Sequence, residues 1–188
     1  TSGAGAGDVG VAGALAANVA VNTTVAALEG DTDSDGMGAS VNAGVAANTG
    51  DILIEAGNMT TATVESGAKV TGTGGTAKVG VGASIGVNVG VNTTVAEVAD
   101  KAALTGGKDL GLNATADHAL TTGVTGGAAG ARVAVTPLVA ATVAVNTTTA
   151  RLGESPTALG IAGKYSSTAD HQGSATTTAT GQTEGSSV

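Results

Sequence analysis

Between residues 78 and 94 the chain alternates with a strict period of two. Val79, Val81, Ala83, Ile85, Val87, Val89 and Val91 are separated by Gly80, Gly82, Ser84, Gly86, Asn88, Gly90 and Asn92. Alternation over this length predicts β-structure with one buried face. The block occurs three times without a gap, at residues 8–24, 78–94 and 132–148, and each copy closes on Val-Asn-Thr-Thr. The other copies keep the pattern as Val9, Val11, Leu15, Val19, Val21 and as Val133, Val135, Val139, Val143, Val145. With the larger apolar set assigned to the core, Val81, Ile85, Val87 and Val89 are expected to be buried, and Lys78, Glu97 and Lys101 exposed. A slip of one residue would reverse every side chain.

A second element also repeats. Thr115-Ala116-Asp117-His118 returns as Thr168-Ala169-Asp170-His171, a shift of 53 that nearly equals the 54 between Asn92 and Asn146, whereas the first two blocks lie 70 apart. If both spacings are whole numbers of coils, four and three turns fit one coil of about 18 residues. A 16-residue run drawn as one strand would reach roughly 53 Å, beyond the usual strand, so a corner is expected at Asn18 and Asn88. Residues 95–104 could form an amphipathic helix. Their aligned counterparts run into Gly within a few residues, so a short strand and turn are expected instead. The fold expected is all-β, a parallel β-helix (β-solenoid) with coils of about 18 residues, as one repetitive domain over residues 1–188. The alternative is a β-sandwich-type fibre subunit that donates a strand, such as residues 8–25, to its neighbour.

Composition narrows the choice. One Tyr, no Phe, no Trp and 32 Gly give little apolar area per residue for a globular enzyme core. A net charge of -8 with 12% charged residues is too mild for a charge-swollen disordered chain. A single aromatic residue cannot build the girdles of an outer-membrane barrel. The absence of Cys removes disulfides, thiolate metal sites and cysteine nucleophiles. Seven scattered basic residues make no footprint for nucleic acid. The longest apolar stretch, residues 133–145, is broken by Thr136, Pro137 and Thr142, so no membrane span is expected. Residues 1–6 lack the basic and apolar regions of a leader. Either a leader has been removed or this is an internal segment of something longer, and a segment of a longer chain or fibre is expected.

Residues 79–96, followed by a Gly-rich turn and a Thr/Ala-rich strand, resemble the repeat region of giant bacterial filamentous adhesins, the filamentous-haemagglutinin-like and leukotoxin-type surface proteins. The resemblance implies a β-solenoid shaft, exported and displayed at the cell surface. The expected role is a structural and adhesive segment of an extracellular surface fibre, with no enzymatic activity. Its partners would be neighbouring copies or flanking segments of the fibre, and a host or neighbouring cell surface. The alternative role is a self-polymerising filament subunit assembled by strand exchange.

Candidate chemistry is sparse. Asp31-Thr32-Asp33-Ser34-Asp35-Gly36 places three carboxylates at i, i+2 and i+4 around a Gly turn, the arrangement that suits a hard Ca²⁺ ion. The Met37 carbonyl and a closing carboxylate from Glu29 or Asp51 complete the expected ligand set. As a polar loop, the same residues are equally at home in a plain turn. Five N-x-T sequons, at Asn22, Asn58, Asn92, Asn113 and Asn146, read either as glycan acceptors or as stacked amide and hydroxyl ladders at bends. Of these two readings the ladders are the stronger expectation. His118 and His171, three short coils apart, would lie roughly 14 Å from each other and share no metal. Thr-x-Thr pairs are too irregular for an ice-binding face, and no catalytic triad, P-loop or dinucleotide fingerprint occurs.

Overall fold

β-Branched residues at every second position do fold as strands, and the strands are very long. The computed structural model describes residues 2–5, 8–30, 40–42, 49–71, 78–130, 132–154 and 160–185. Its elements are β1 (Ser2–Gly5), β2 (Val9–Leu28), β3 (Ser40–Asn42), β4 (Gly50–Thr71), β5 (Val79–Val98), β6 (Ala103–Gly130), β7 (Val133–Val135), β8 (Leu138–Leu152), β9 (Gly160–Ile161) and β10 (Tyr165–Gly185). No helix occurs among the described residues, in agreement with the all-β expectation. The strands form two sheets. One, the threonine sheet, has the order β1-β4-β6-β10, with β3 and β9 also on β6. The other, the valine sheet, places β2, β7 and β8 on β5. All pairings are parallel. The chain alternates between the sheets, passing from β4 to β5, back to β6, on to β7 and β8, and back to β10.

The three sequence blocks lie directly on one another. Asn22 pairs with Asn92 across 70 residues, and Asn92 with Asn146 across 54. Each block is thus one rung, and the expected coil of about 18 residues is corrected to a circuit of 54 to 70. The expected corner is corrected as well. Asn18 and Asn88 sit inside unbroken strands, paired with each other in register. A 20-residue strand spans about 66 Å at 3.3 Å per residue. True turns fall between strands, as at residues 99–102, where Ala102 N donates to the Ala99 carbonyl and Lys101 takes a φ of 65°.

The facing of the valine sheet is the reverse of the one expected. Ile85 is 42% exposed and Asn88 is 0% exposed. Along β5 the inward residues are Gly80, Gly82, Ser84, Gly86, Asn88, Gly90, Asn92, Thr94, Ala96 and Val98, and the Val set points outward. The register assigned from hydrophobicity is therefore wrong by one residue. Of the three charged positions expected outside, Lys78 and Lys101 are exposed and Glu97 is half-buried under Arg151.

The cause is steric. A Cβ on Gly82 would overlap the Gly127 carbonyl, and one on Gly80 the Ala129 carbonyl. Farther along, a Cβ at Gly86 would lie 2.7 Å from a Val124 methyl, and one at Gly90 2.7 Å from a Leu120 methyl. The threonine sheet supplies the bulk of the core, through Leu104, Leu110, Leu112, Leu120, Val124, Val64 and Val70. Only at the far end, where Leu28 and Val98 meet Leu104, Leu110 and Leu112, do both sheets contribute large side chains.

Replacing Gly82 by Ala drives a methyl into a backbone carbonyl that has no rotamer to escape through, and should cost about 1–3 kcal/mol. At Gly13, where nothing lies within 4 Å of an added Cβ, the same change should stay within about 0.5 kcal/mol. Chemical-denaturation midpoints of the two variants check this, and equal shifts would refute the close approach of the sheets.

Candidate functional site

Polar side chains on the inward face of a strand must find partners between the sheets, because a buried polar group without one costs a large part of its desolvation energy. Most find each other here, across rungs or between the sheets, while Thr94 Oγ1 and Asn58 Nδ2 find no partner among the described residues. Asn22 Nδ2 donates to Asn92 Oδ1 at 3.0 Å, and Asn92 Nδ2 to Asn146 Oδ1 at 2.8 Å. Asn18 Nδ2 donates to Asn88 Oδ1 at 3.0 Å, and Asn88 Nδ2 crosses to the Ala62 carbonyl at 3.0 Å and the Thr121 carbonyl at 3.2 Å. Ser66 and Ser84 hydroxyls meet at 2.7 Å, and those of Thr122 and Thr142 at 2.6 Å.

Three of the five sequon asparagines are thus a stacked interior ladder in mid-strand, where a bend had been expected. Asn92 is 1% exposed, so a glycan on its Nδ2 would require the side chain to leave the ladder. Asn58 lies beside Thr60, which donates to its Oδ1 at 3.3 Å, and Asn113 Nδ2 donates to Glu55 at 3.2 Å on the outer face. Along the β2/β4 edge the ladder opens into a groove of about 1070 Å³ lined by Asn18, Asn22, Asn58, Thr60, Ala62 and Val64, among others.

Of the expected calcium ligands, Asp31, Asp33, Asp35 and Met37 lie outside the described residues. Glu29, just after β2, and Asp51, in β4, are both exposed. Among the described residues no group of three or more His, Cys, Asp or Glu is gathered as a metal would require.

The two histidines are much closer than a three-coil spacing implies. Because β6 and β10 are adjacent rungs, the rings lie 5.5 Å apart at an angle of 42°. His118 is buried and its Nδ1 finds no protein partner. His171, on the exposed β10, has its Nδ1 3.3 Å from the Thr148 hydroxyl. Burial lowers the His118 pKa below the ordinary 6.5, the charge of His171 lowers it further, and Asp117 opposes weakly. A pair of imidazoles falls short of the three or four ligands of a zinc site.

No family model, no curated protein and no solved structure matches this chain. Ion pairs mark the ends of the valine sheet. At one end Lys78 pairs with Asp8 at 3.4 Å. At the other, Arg151 pairs with Glu97 at 2.7 Å and Asp100 at 3.3 Å. Asp100 accepts the Glu154 N–H and Asp109 the Lys164 N–H, each one circuit later in the chain. These main-chain donors, followed by the charge of Arg151 for Asp100 and that of Lys108 for Asp109, hold both carboxyls below their ordinary pKa. What sequence reasoning missed is the outward valine surface. Its signal was the Gly at four of the six alternate positions of residues 80–90, which marks the face with little room for side chains.

Folding holds His118 neutral, while the unfolded chain protonates near pH 6.5. Stability from this group is therefore complete above that pH and declines as acid carries the solution below it. The thermal midpoint should fall between pH 7.5 and pH 5 by more in the parent than in His118→Leu. Parallel pH profiles for the two proteins would contradict the assignment.

Proposed function

We propose that the chain is a segment of a β-solenoid shaft in an extracellular bacterial surface fibre, structural and adhesive in role and not enzymatic. The observation that supports this most is the in-register stacking of the three sequence blocks, in which each circuit adds one similar rung and the Asn22–Asn92–Asn146 ladder runs through all three. Such a fold lengthens by adding circuits without changing its core, which suits a spacer holding something away from a cell. The resemblance of residues 79–96 to filamentous adhesins points the same way. Open strand edges at both ends of the stack suit continuation into flanking segments or neighbouring copies. Residues 9–25, nearly all of the 8–25 segment considered for donation, are bonded to β5 of their own chain, which favours the stacked shaft over strand exchange.

With about 4.8 Å of length per circuit and strands of about 66 Å, the shaft would be a flat ribbon. Antibodies raised against this chain should label intact source cells, and immunogold should follow ribbons roughly 65 Å wide. Labelling that appears only after permeabilisation would defeat the surface assignment.

Calcium belongs to the same reading. Asp31, Asp33 and Asp35, with the Met37 carbonyl and either Glu29 or Asp51, would form an oxygen site, its three Asp and Met37 falling in the sequence between β2 and β3. Extracellular sites of this kind hold at about 10⁻⁴ to 10⁻³ M. At ten times the dissociation constant calcium should add about 1.4 kcal/mol of stability, and Asp33→Ala should remove that increment. A titration without heat at millimolar calcium would return the loop to a plain turn.

A further inference from the structure

All-parallel sheets occur almost only with both faces covered, because the alternating chain crosses over them and their strands are apolar on both sides. The valine sheet departs from this. Its inner face packs on the threonine sheet, and its outer face is bare along three rungs. Val19, Val21, Ile85, Val139, Val143 and Val145 stand on that face, with Val19 70% and Val143 48% exposed. Between the ion pairs at its two ends, the outward positions carry only Val, Ile, Leu, Ala, Gly, Thr and one Pro. The charges of the threonine sheet, Glu55, Glu65, Lys69 and Asp117, point to the opposite side of the molecule. By contrast, that sheet's outer face needs no cover.

We propose that this face binds a second copy of the same chain, valine sheet against valine sheet, in a dry two-fold interface. The proposal holds whether or not the chain serves in a surface fibre. The dimensions fit. Strands of about 66 Å and three rungs at about 4.8 Å give roughly 900 Å² per copy, and the roughly 1,800 Å² of a pair falls within the range of stable specific interfaces. Shape fits too. The rows of β-branched side chains repeat from rung to rung, since Val19, Val89 and Val143 stack, as do Val21, Val91 and Val145. Such a surface is self-complementary under a two-fold rotation and suits face-to-face sheet packing. Lys78 with Asp8 and Arg151 with Glu97 and Asp100 then form the charged rim of an apolar centre.

A lipid bilayer is the competing occupant, and the chain is poorly equipped for it. Trp is absent and the one Tyr, Tyr165, lies on β10 of the other sheet, so interfacial anchors are missing. A net charge of -8 is repelled by anionic headgroups.

The test uses the 188-residue chain. Sedimentation from about 1 to 100 µM should show a monomer–dimer equilibrium. Ile85→Lys with Val143→Lys, both at positions already open to water in the monomer, should weaken it at least about 100-fold with unchanged circular dichroism. As the chain has no Cys, Val143→Cys should cross-link copies on mild oxidation, whereas Thr121→Cys, on the outer face of the threonine sheet, should not. Three results would overturn the proposal. The parent could remain monomeric at about 100 µM, or the double variant could associate as strongly as the parent, through strand edges. Neutral phosphatidylcholine vesicles could also float the parent and not the double variant, which would place a bilayer on this face.

Discussion

The gap between the two sheets governs the rest of the structure. Stacked sheets ordinarily lie about 10 Å apart, with side chains from both filling the space. Where Gly80, Gly82, Gly86 and Gly90 of β5 face β6, there is room for side chains from one sheet at most. The threonine sheet provides Leu120 and Val124, and the valine sheet answers with Gly90 and Gly86. At Gly80 and Gly82 even this is too much, and backbone faces backbone. The larger aliphatic residues of the valine sheet therefore have nowhere to go but out. Their exposure follows from packing, against the ordinary preference of Val and Ile for the interior.

A core of small residues gives less hydrophobic stabilisation per residue than a Leu-rich one, and the polar ladders compensate through specificity. Asn88 uses three of its hydrogen-bonding positions, on Asn18, the Ala62 carbonyl and the Thr121 carbonyl. Shifting a rung by one residue would bring Val to that site and strand those carbonyl and amide groups, while placing Asn on the outside. Shifting it by two would set Asn against Gly or Ala. The ladders thus fix the register of strands whose outward faces, being mostly Val and other apolar residues, would tolerate several registers almost equally well. His118 is the least comfortable member of this interior, held neutral by burial beside His171 with one nitrogen unpartnered.

Period two, the all-β class and the correspondence of residues 8–24, 78–94 and 132–148 were legible in the sequence, because they depend on local alternation and on self-similarity. The length of a circuit was not. It depends on whether the polar segments between blocks are further coils or the opposite sheet, and residues 50–71 and 103–130 carry too little Val/Gly cadence to announce that they are strands of a partner. The corner assigned to Asn18 and Asn88 failed for a related reason. A 20-residue strand is improbable in an ordinary domain, but long strands persist here because each is paired in register along its length with at least one neighbouring rung. Facing was misread because hydrophobicity was allowed to outvote volume, although Gly80, Gly82, Gly86 and Gly90 already held the contrary information. The histidine separation inherited the error in circuit length.

Two kinds of unsatisfied surface remain, and they differ in direction and in physics. Strand edges face along the stacking axis and offer main-chain donors and acceptors, so whatever joins them must match register residue by residue. The valine face runs parallel to that axis, looks out at right angles to it and offers area with little directional demand. Backbone pairing at an edge responds weakly to the temperature dependence of apolar hydration, whereas burial of a Val surface strengthens on warming from the cold and with excluded salts such as sulfate. A chain with both surfaces can lengthen in one direction and pair in the other without the two processes competing for the same residues. Since the edges are selective and the face is permissive, the order of events is constrained. Rungs must be formed before a continuous valine surface exists to be covered, and folding of each circuit therefore precedes any face-to-face association.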